Sequence, residues 1–106
     1  MIFYVTHACA AGVPGTESIC AVVHDLQVQD LANCYISPTL LFSHLANDEL
    51  TLSEQIELRL DVLQCCDKLV VVGTPSVSMQ AEIDFAKLVG MEVLCLGQDG
   101  RVRPFS

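Results

Sequence analysis

Apolar residues along the chain form short continuous runs, separated by stretches in which they recur every three or four positions. The runs are Ile2 to Val5, Cys34 to Ile36, Lys68 to Val72 and Glu92 to Leu96, lengths that suit β-strands. Within the third, Leu69-Val-Val-Val72 is continuously apolar and rich in β-branched residues, which predicts a central strand covered on both faces. Thr16 to Leu31 predicts a first helix, with Thr16 as its N-cap and Ile19, Val22, Val23 and Leu26 as its apolar stripe. A second helix is announced by Thr51-Leu-Ser-Glu54, a capping-box sequence, after which Leu52, Ile56, Leu60 and Leu63 keep helical spacing through Cys66. The third runs from about Ser78 through Ile83, Ala86 and Val89 and is ended by Gly90. Strand and helix patterns that alternate in this way predict an α/β domain built on a parallel sheet of four to five strands. The tail from Gly97 to Ser106 is turn-rich and reads as a short final strand or a partly ordered end.

At 106 residues, 52% hydrophobic and 17% charged, without internal repeat or linker, the chain is expected to form a single domain over 1–106. A core this small leaves apolar surface hard to cover, so with a mean hydropathy of +0.49 a homo-oligomer is expected. Thirteen acids against five bases give a net charge of -8, which opposes phosphate backbones and anionic membrane surfaces alike. Neither nucleic acid nor membrane is therefore an expected partner. The opening Met1 to Val5 run lacks a basic flank and is too short for a signal-peptide core, so the cytoplasm is the expected location. The six cysteines, at 9, 20, 34, 65, 66 and 95, have no regular spacing and no Cys-x-x-Cys, and are read as buried reduced thiols. With His7, His24 and His44 they make no compact zinc pattern, and no metal or cofactor is assigned.

Candidate chemistry gathers where strands give way to helices, because ligands of open α/β sheets collect at the carboxyl ends of the strands. The loop from His7 to Thr16, carrying Gly12 and Gly15, offers backbone N–H groups to an anion or is simply a turn; it is neither a dinucleotide fingerprint nor a P-loop. After the third strand, Thr74, Ser76 and Ser78 supply hydroxyls suited to a phosphate, to a sugar or to capping. Glu82 follows, read as a carboxylate near a helix start that either faces a ligand or complements the positive end of the helix. Tyr4 and His7 are read as sharing one side of the first strand, placed to face the same site, with packing as the alternative for Tyr4. His44 sits in a loop read as covering the pocket or making an oligomer contact. Asp48, Glu49, Glu54 and Glu57 are read as a solvated face, and Asp67 as a cap or turn residue at the far end of the sheet from Glu82.

Several segments in this order, Met1-Ile-Phe-Tyr-Val-Thr-His7, Ile36-Ser-Pro38, Phe42-Ser-His44, Cys66-Asp-Lys-Leu-Val-Val-Val-Gly73 and Ser76-Val-Ser-Met-Gln-Ala-Glu-Ile-Asp-Phe-Ala86, resemble the small nucleoside 2-deoxyribosyltransferase-like family over nearly the whole chain to Leu96. The resemblance implies a flavodoxin-like, Rossmann-like three-layer sandwich that encloses a nucleoside or nucleoside 5'-monophosphate. It implies Glu82 as the nucleophile at the anomeric carbon, with His7, Gly12, Ser76, Ser78, Tyr4 and His44 near the ligand. Such chemistry is that of a retaining glycosidase, in which a carboxylate forms a sugar ester that water or a second base resolves. The family's transferases carry an aspartate six residues before the glutamate and a glycine four before it, where this chain has Ser76 and Ser78. Two functions are thus expected: an N-glycosyl transferase or hydrolase, or a nucleotide-binding module of the same fold without turnover.

Overall fold

The strand runs pair into one five-stranded sheet of order β2-β1-β3-β4-β5, in a computed structural model that describes residues 1–7, 15–42 and 49–105, with backbone alone for 15–18. Strands β1 (Ile2–His7), β2 (Cys34–Ile36), β3 (Lys68–Val72) and β4 (Glu92–Leu96) are parallel, and β5 (Val102–Pro104) closes the edge antiparallel to β4. The turn-rich tail therefore contains a strand, and β1 runs two residues past the expected Val5. In β3 the sequence Leu69-Val-Val71 is buried throughout, as a strand covered on both faces requires.

Side chains that alternate along these strands feed two separate cores. Phe3, Val5, Tyr35, Val70 and Leu94 pack on one face with Ile19 and Leu26 of helix α1 (Gly15–Gln29). Tyr4, Leu69 and Val71 pack on the other, with Leu63 of α3 (Leu52–Leu63) and Met79, Ile83 and Ala86 of α4 (Val77–Leu88). Helices thus cover both faces of a mostly parallel sheet, an α/β architecture. A four-residue helix, α2 (Pro38–Leu41), follows β2 in the segment read as a covering loop; Pro38 at its first position supplies a φ already suited to a helix.

Local chemistry explains where the helices start and stop. The Thr51–Glu54 capping box forms as the sequence predicts, Thr51 Oγ1 accepting from Glu54 N at 3.1 Å and Glu54 Oε1 accepting from Thr51 N at 3.0 Å. At the end of α4, Gly90 has a φ of 76°, and the N–H groups of Gly90 and Met91 return to Lys87 O and Ala86 O. This is the Schellman closure, which needs a residue free to be left-handed. Thr16 is not a cap: α1 already begins at Gly15, so Thr16 lies inside its first turn. The α1–β2 connection is tied by Gln27, whose side chain donates to Asp30 O and Asn33 O and accepts from Tyr35 N at 2.9 Å. Asp67, as expected, is a structural residue at the amino end of the sheet, accepting from Ile2 N at 2.7 Å.

Of the five described cysteines only Cys66 follows the expectation of burial, and Cys9 lies outside the described residues. Cys20, Cys34 and Cys65 are exposed, Cys95 is half-buried and Cys66 is buried, all as free thiols. Burial in the α3–sheet core pushes the Cys66 thiol up to about 11, so it is inert as a nucleophile near neutral pH. Among the described residues no helix is long and apolar enough to cross a membrane.

Candidate functional site

β1 and β3 are neighbours, but the chain leaves them in opposite directions, β2 lying outside β1 and β4 outside β3. Such a reversal is a topological switch point, and ligands of open α/β sheets bind outside the carboxyl ends of the strands at such a point. The residues at that end are Thr6 and His7 of β1, paired in register with Val71 and Val72 of β3.

Into this end of the sheet, α3 and α4 each send one charged side chain from an otherwise apolar stripe. On α4 the buried positions are Met79, Glu82, Ile83 and Ala86; on α3 the inward positions Ile56, Arg59, Leu60 and Leu63 repeat the same spacing. Glu82 and Arg59 hold corresponding places in the two stripes and meet between the helices, Arg59 Nη2 lying 3.1 Å from Glu82 Oε1. Thr6 completes the group. Its hydroxyl donates to Glu82 Oε1 at 2.8 Å and accepts from Arg59 Nη2 at 3.1 Å.

This geometry corrects the position expected for Glu82. It lies in the second turn of α4, not at the helix start, and is 0% exposed. A macrodipole acts within the first turn and on charges near the helix end, so Glu82 is not a dipole partner. Its place is a buried ion pair bonded to the sheet. One carboxylate oxygen is fully engaged, whereas Glu82 Oε2, Tyr4 Oη and Arg59 Nε are buried without a hydrogen-bond partner. Unpaired buried polar atoms are costly and tend to mark places where another group binds or moves.

Tyr4 lies on the same face of β1 as Thr6, fully buried. Burial first, and then the negative charge of Glu82, push its hydroxyl far above the usual tyrosine range. It stays protonated near the carboxylate but makes no hydrogen bond of ordinary geometry to it. Burial disfavours the Arg59 charge, yet Glu82 and Tyr4 beside it outweigh that and hold the guanidinium above its ordinary value.

His7 does not share a side with Tyr4. The two are three residues apart, and an odd spacing on a strand puts side chains on opposite faces. His7 follows Phe3 and Val5 toward the α1 face, where its Nδ1 is buried and unpartnered, as is Ser37 Oγ at the end of β2. Burial, followed by the charge of Arg59, lowers the His7 pKa and favours the neutral ring.

Ser76 is the N-cap of α4, its hydroxyl accepting from Met79 N at 3.3 Å, which commits it to the helix. Ser78 is half-buried in the first turn. Gly12 and His44 lie outside the described residues. The structure therefore brings Glu82 and Tyr4 together, with His7 nearby on the other face and the two serines at the head of α4.

Sequence reading missed Arg59 and Thr6. The signal for Arg59 was its place at the centre of the Ile56–Leu60–Leu63 stripe, where a base can be held only if it meets an acid. Glu82 sits in the matching place of the next stripe. Compared with models of known protein families and with curated proteins, the chain matches none.

Proposed function

We propose that this chain is a flavodoxin-like N-glycosyl transferase or hydrolase, acting on a nucleoside or nucleoside 5'-monophosphate through Glu82. The strand order β2-β1-β3-β4-β5 supports the fold assignment, being that of flavodoxin-like sheets. One observation carries the chemistry: the Glu82 carboxylate is fixed through Oε1 by Thr6 and Arg59, while Oε2 has no partner. A nucleophile is best held in this way, with its geometry locked by one atom and the other left to react. Oε2 would attack the anomeric carbon as the bond to the base breaks, the base leaving with the electron pair and taking up a proton. Water or a second base would then cleave the sugar ester and restore the carboxylate. Assembly as a homo-oligomer belongs to the same proposal and is supported by exposed Leu31, Val77 and Leu88.

A second reading is favoured by the same ion pair. Arg59 offsets the negative charge that would otherwise stabilise an oxocarbenium-like carbon, and Glu82 is completely enclosed. In that reading the chain is a nucleotide-binding or interaction module that has lost turnover. The test is to incubate the protein with a panel of nucleosides and monophosphates and follow free base, alongside Glu82→Gln. Base release by the wild type that Glu82→Gln abolishes supports the enzyme. Binding without release from any candidate defeats it in favour of the module.

A further inference from the structure

The chain has only five lysines and arginines, and among them Arg59 alone bonds to Thr6 and Glu82. Lys68 begins β3 at the amino end and pairs with Glu92 at 2.9 Å. Lys87 is in the last turn of α4, over the Phe105 ring. Arg101 precedes the edge strand β5, and Arg103, within it, pairs with Asp99. Arg59 is the one such base at the carboxyl ends of β1 and β3.

Arg59 also has capacity to spare. A guanidinium offers five N–H donors in a planar fork, but Nη2 alone makes both of the bonds to Thr6 and Glu82; Nε is buried and out of a ligand's reach, so the spare donors are those of Nη1. Its side chain is 19% exposed against 1% for Glu82, so it is the member of the pair that solvent reaches. A net charge of -8 repels anions at long range, so a bound anion here needs a local cation.

We propose that Arg59 is the specificity-determining residue of the site, reading a phosphate monoester on the ligand while sharing its guanidinium with Glu82. This rests on the nucleoside or nucleotide reading above and adds to it a preference for the 5'-monophosphate and the residue that imposes it. Phosphate and Glu82 then compete for one cation, so ligand binding loosens the clamp on the carboxylate.

Calorimetric titration of the four common 2'-deoxynucleosides and their 5'-monophosphates tests this without requiring turnover. The wild type is expected to bind at least one monophosphate more tightly than its nucleoside. Glu82→Gln, which removes the competing charge, is expected to tighten monophosphate binding by about tenfold or more. Arg59→Gln leaves a buried carboxylate unpaired and is prone to unfold, so the neutral double variant Arg59→Gln/Glu82→Gln is the working control. It is expected to lose monophosphate affinity by about 30-fold relative to Glu82→Gln, a loss much larger than any change in its nucleoside affinity. Nucleoside binding with no monophosphate preference, or a preference that survives in the double variant, overturns the role of Arg59 and leaves the functional reading standing. Failure of wild type and Glu82→Gln to bind any of these ligands overturns both.

Discussion

Thr6 on β1 and Glu82 on α4 are separated by 76 residues of sequence, yet the threonine hydroxyl donates to Glu82 Oε1 at 2.8 Å inside the protein. That bond ties the helix carrying the candidate nucleophile to the sheet, and Arg59 Nη2 bonds both residues at once. Each of the three groups depends on the other two for satisfaction.

Thr6→Val tests the tie with little change in volume. The substitution keeps the branched shape in a fully buried position but removes one donor to Glu82 and one acceptor for Arg59. Hydrogen bonds to charged groups contribute about 1.5–3 kcal/mol, and urea unfolding is expected to show a loss of that size. Thr6→Ser, which retains the hydroxyl, is expected to keep much more of the stability. Equal losses in the two variants would mean that packing, not the bond, is what Thr6 provides.

The Arg59–Glu82 pair makes a different prediction, because removing one charge is worse than removing both. Arg59→Met leaves Glu82 ionised among apolar side chains and is expected to cost toward the lower end of about 3–5 kcal/mol, since Arg59 keeps some solvent contact. The double variant Arg59→Met/Glu82→Leu replaces the pair by apolar groups and is expected to recover most of that loss. A double-mutant cycle in denaturant measures the coupling directly. Simple additivity would show that the two side chains act independently.

Much of the fold was legible because local signals agreed with one another. The four apolar runs, the Thr51–Glu54 box and Gly90 each carry a mechanism within a few residues, and each proved correct. The candidate site was legible only in part, because its geometry depends on pairings between distant segments. Glu82 was visible as an unusual acid, but reading it as a helix-start charge ignored its own spacing: a helix begun at Ser78 already puts it past the first turn, and α4 begins at Val77. Tyr4 and His7 required the period-two alternation of a strand to be applied strictly. Thr6 had no signal of its own, since a threonine in a strand is ordinary, and Arg59 was hidden in a stripe described only by its apolar members. Charged residues inside apolar stripes are where such a sequence holds its least local information.

Gly90→Ala isolates a purely backbone effect. A Cβ at Gly90 would meet nothing within 4 Å, so any loss comes from holding an L-residue at a φ of 76°. The left-handed conformation costs about 1–2 kcal/mol for a residue with a side chain. Thermal or urea unfolding is expected to show a decrease in that range with an unchanged denaturant slope. Gly90→Asn, which tolerates the conformation better, is expected to fall between alanine and the wild type.

The two tyrosines give the protein an alkaline signature that can be read without any ligand. There is no tryptophan, and Tyr4 and Tyr35 are the only tyrosines, so ultraviolet absorbance of tyrosinate reports on them alone. Tyr35 is pushed up to about 12 by burial and by its bond to Asp30, whose Oδ2 accepts from the hydroxyl at 2.7 Å. Tyr4 is raised further, by burial and then by the charge of Glu82. Between the ordinary value of 10.0 and about 12, both hydroxyls are expected to stay protonated in the native state, whereas urea-unfolded chain ionises both. The native state therefore holds more protons than the unfolded one in this window, and stability must fall as pH rises through it. Full benefit is present below 10.0 and is lost progressively toward and beyond about 12. Tyr35→Phe should flatten part of that decline, and Glu82→Gln should lower the Tyr4 transition because the neighbouring charge is gone. Tyrosinate appearing near 10.0 while circular dichroism remains native would show that neither hydroxyl is shielded as the packing requires.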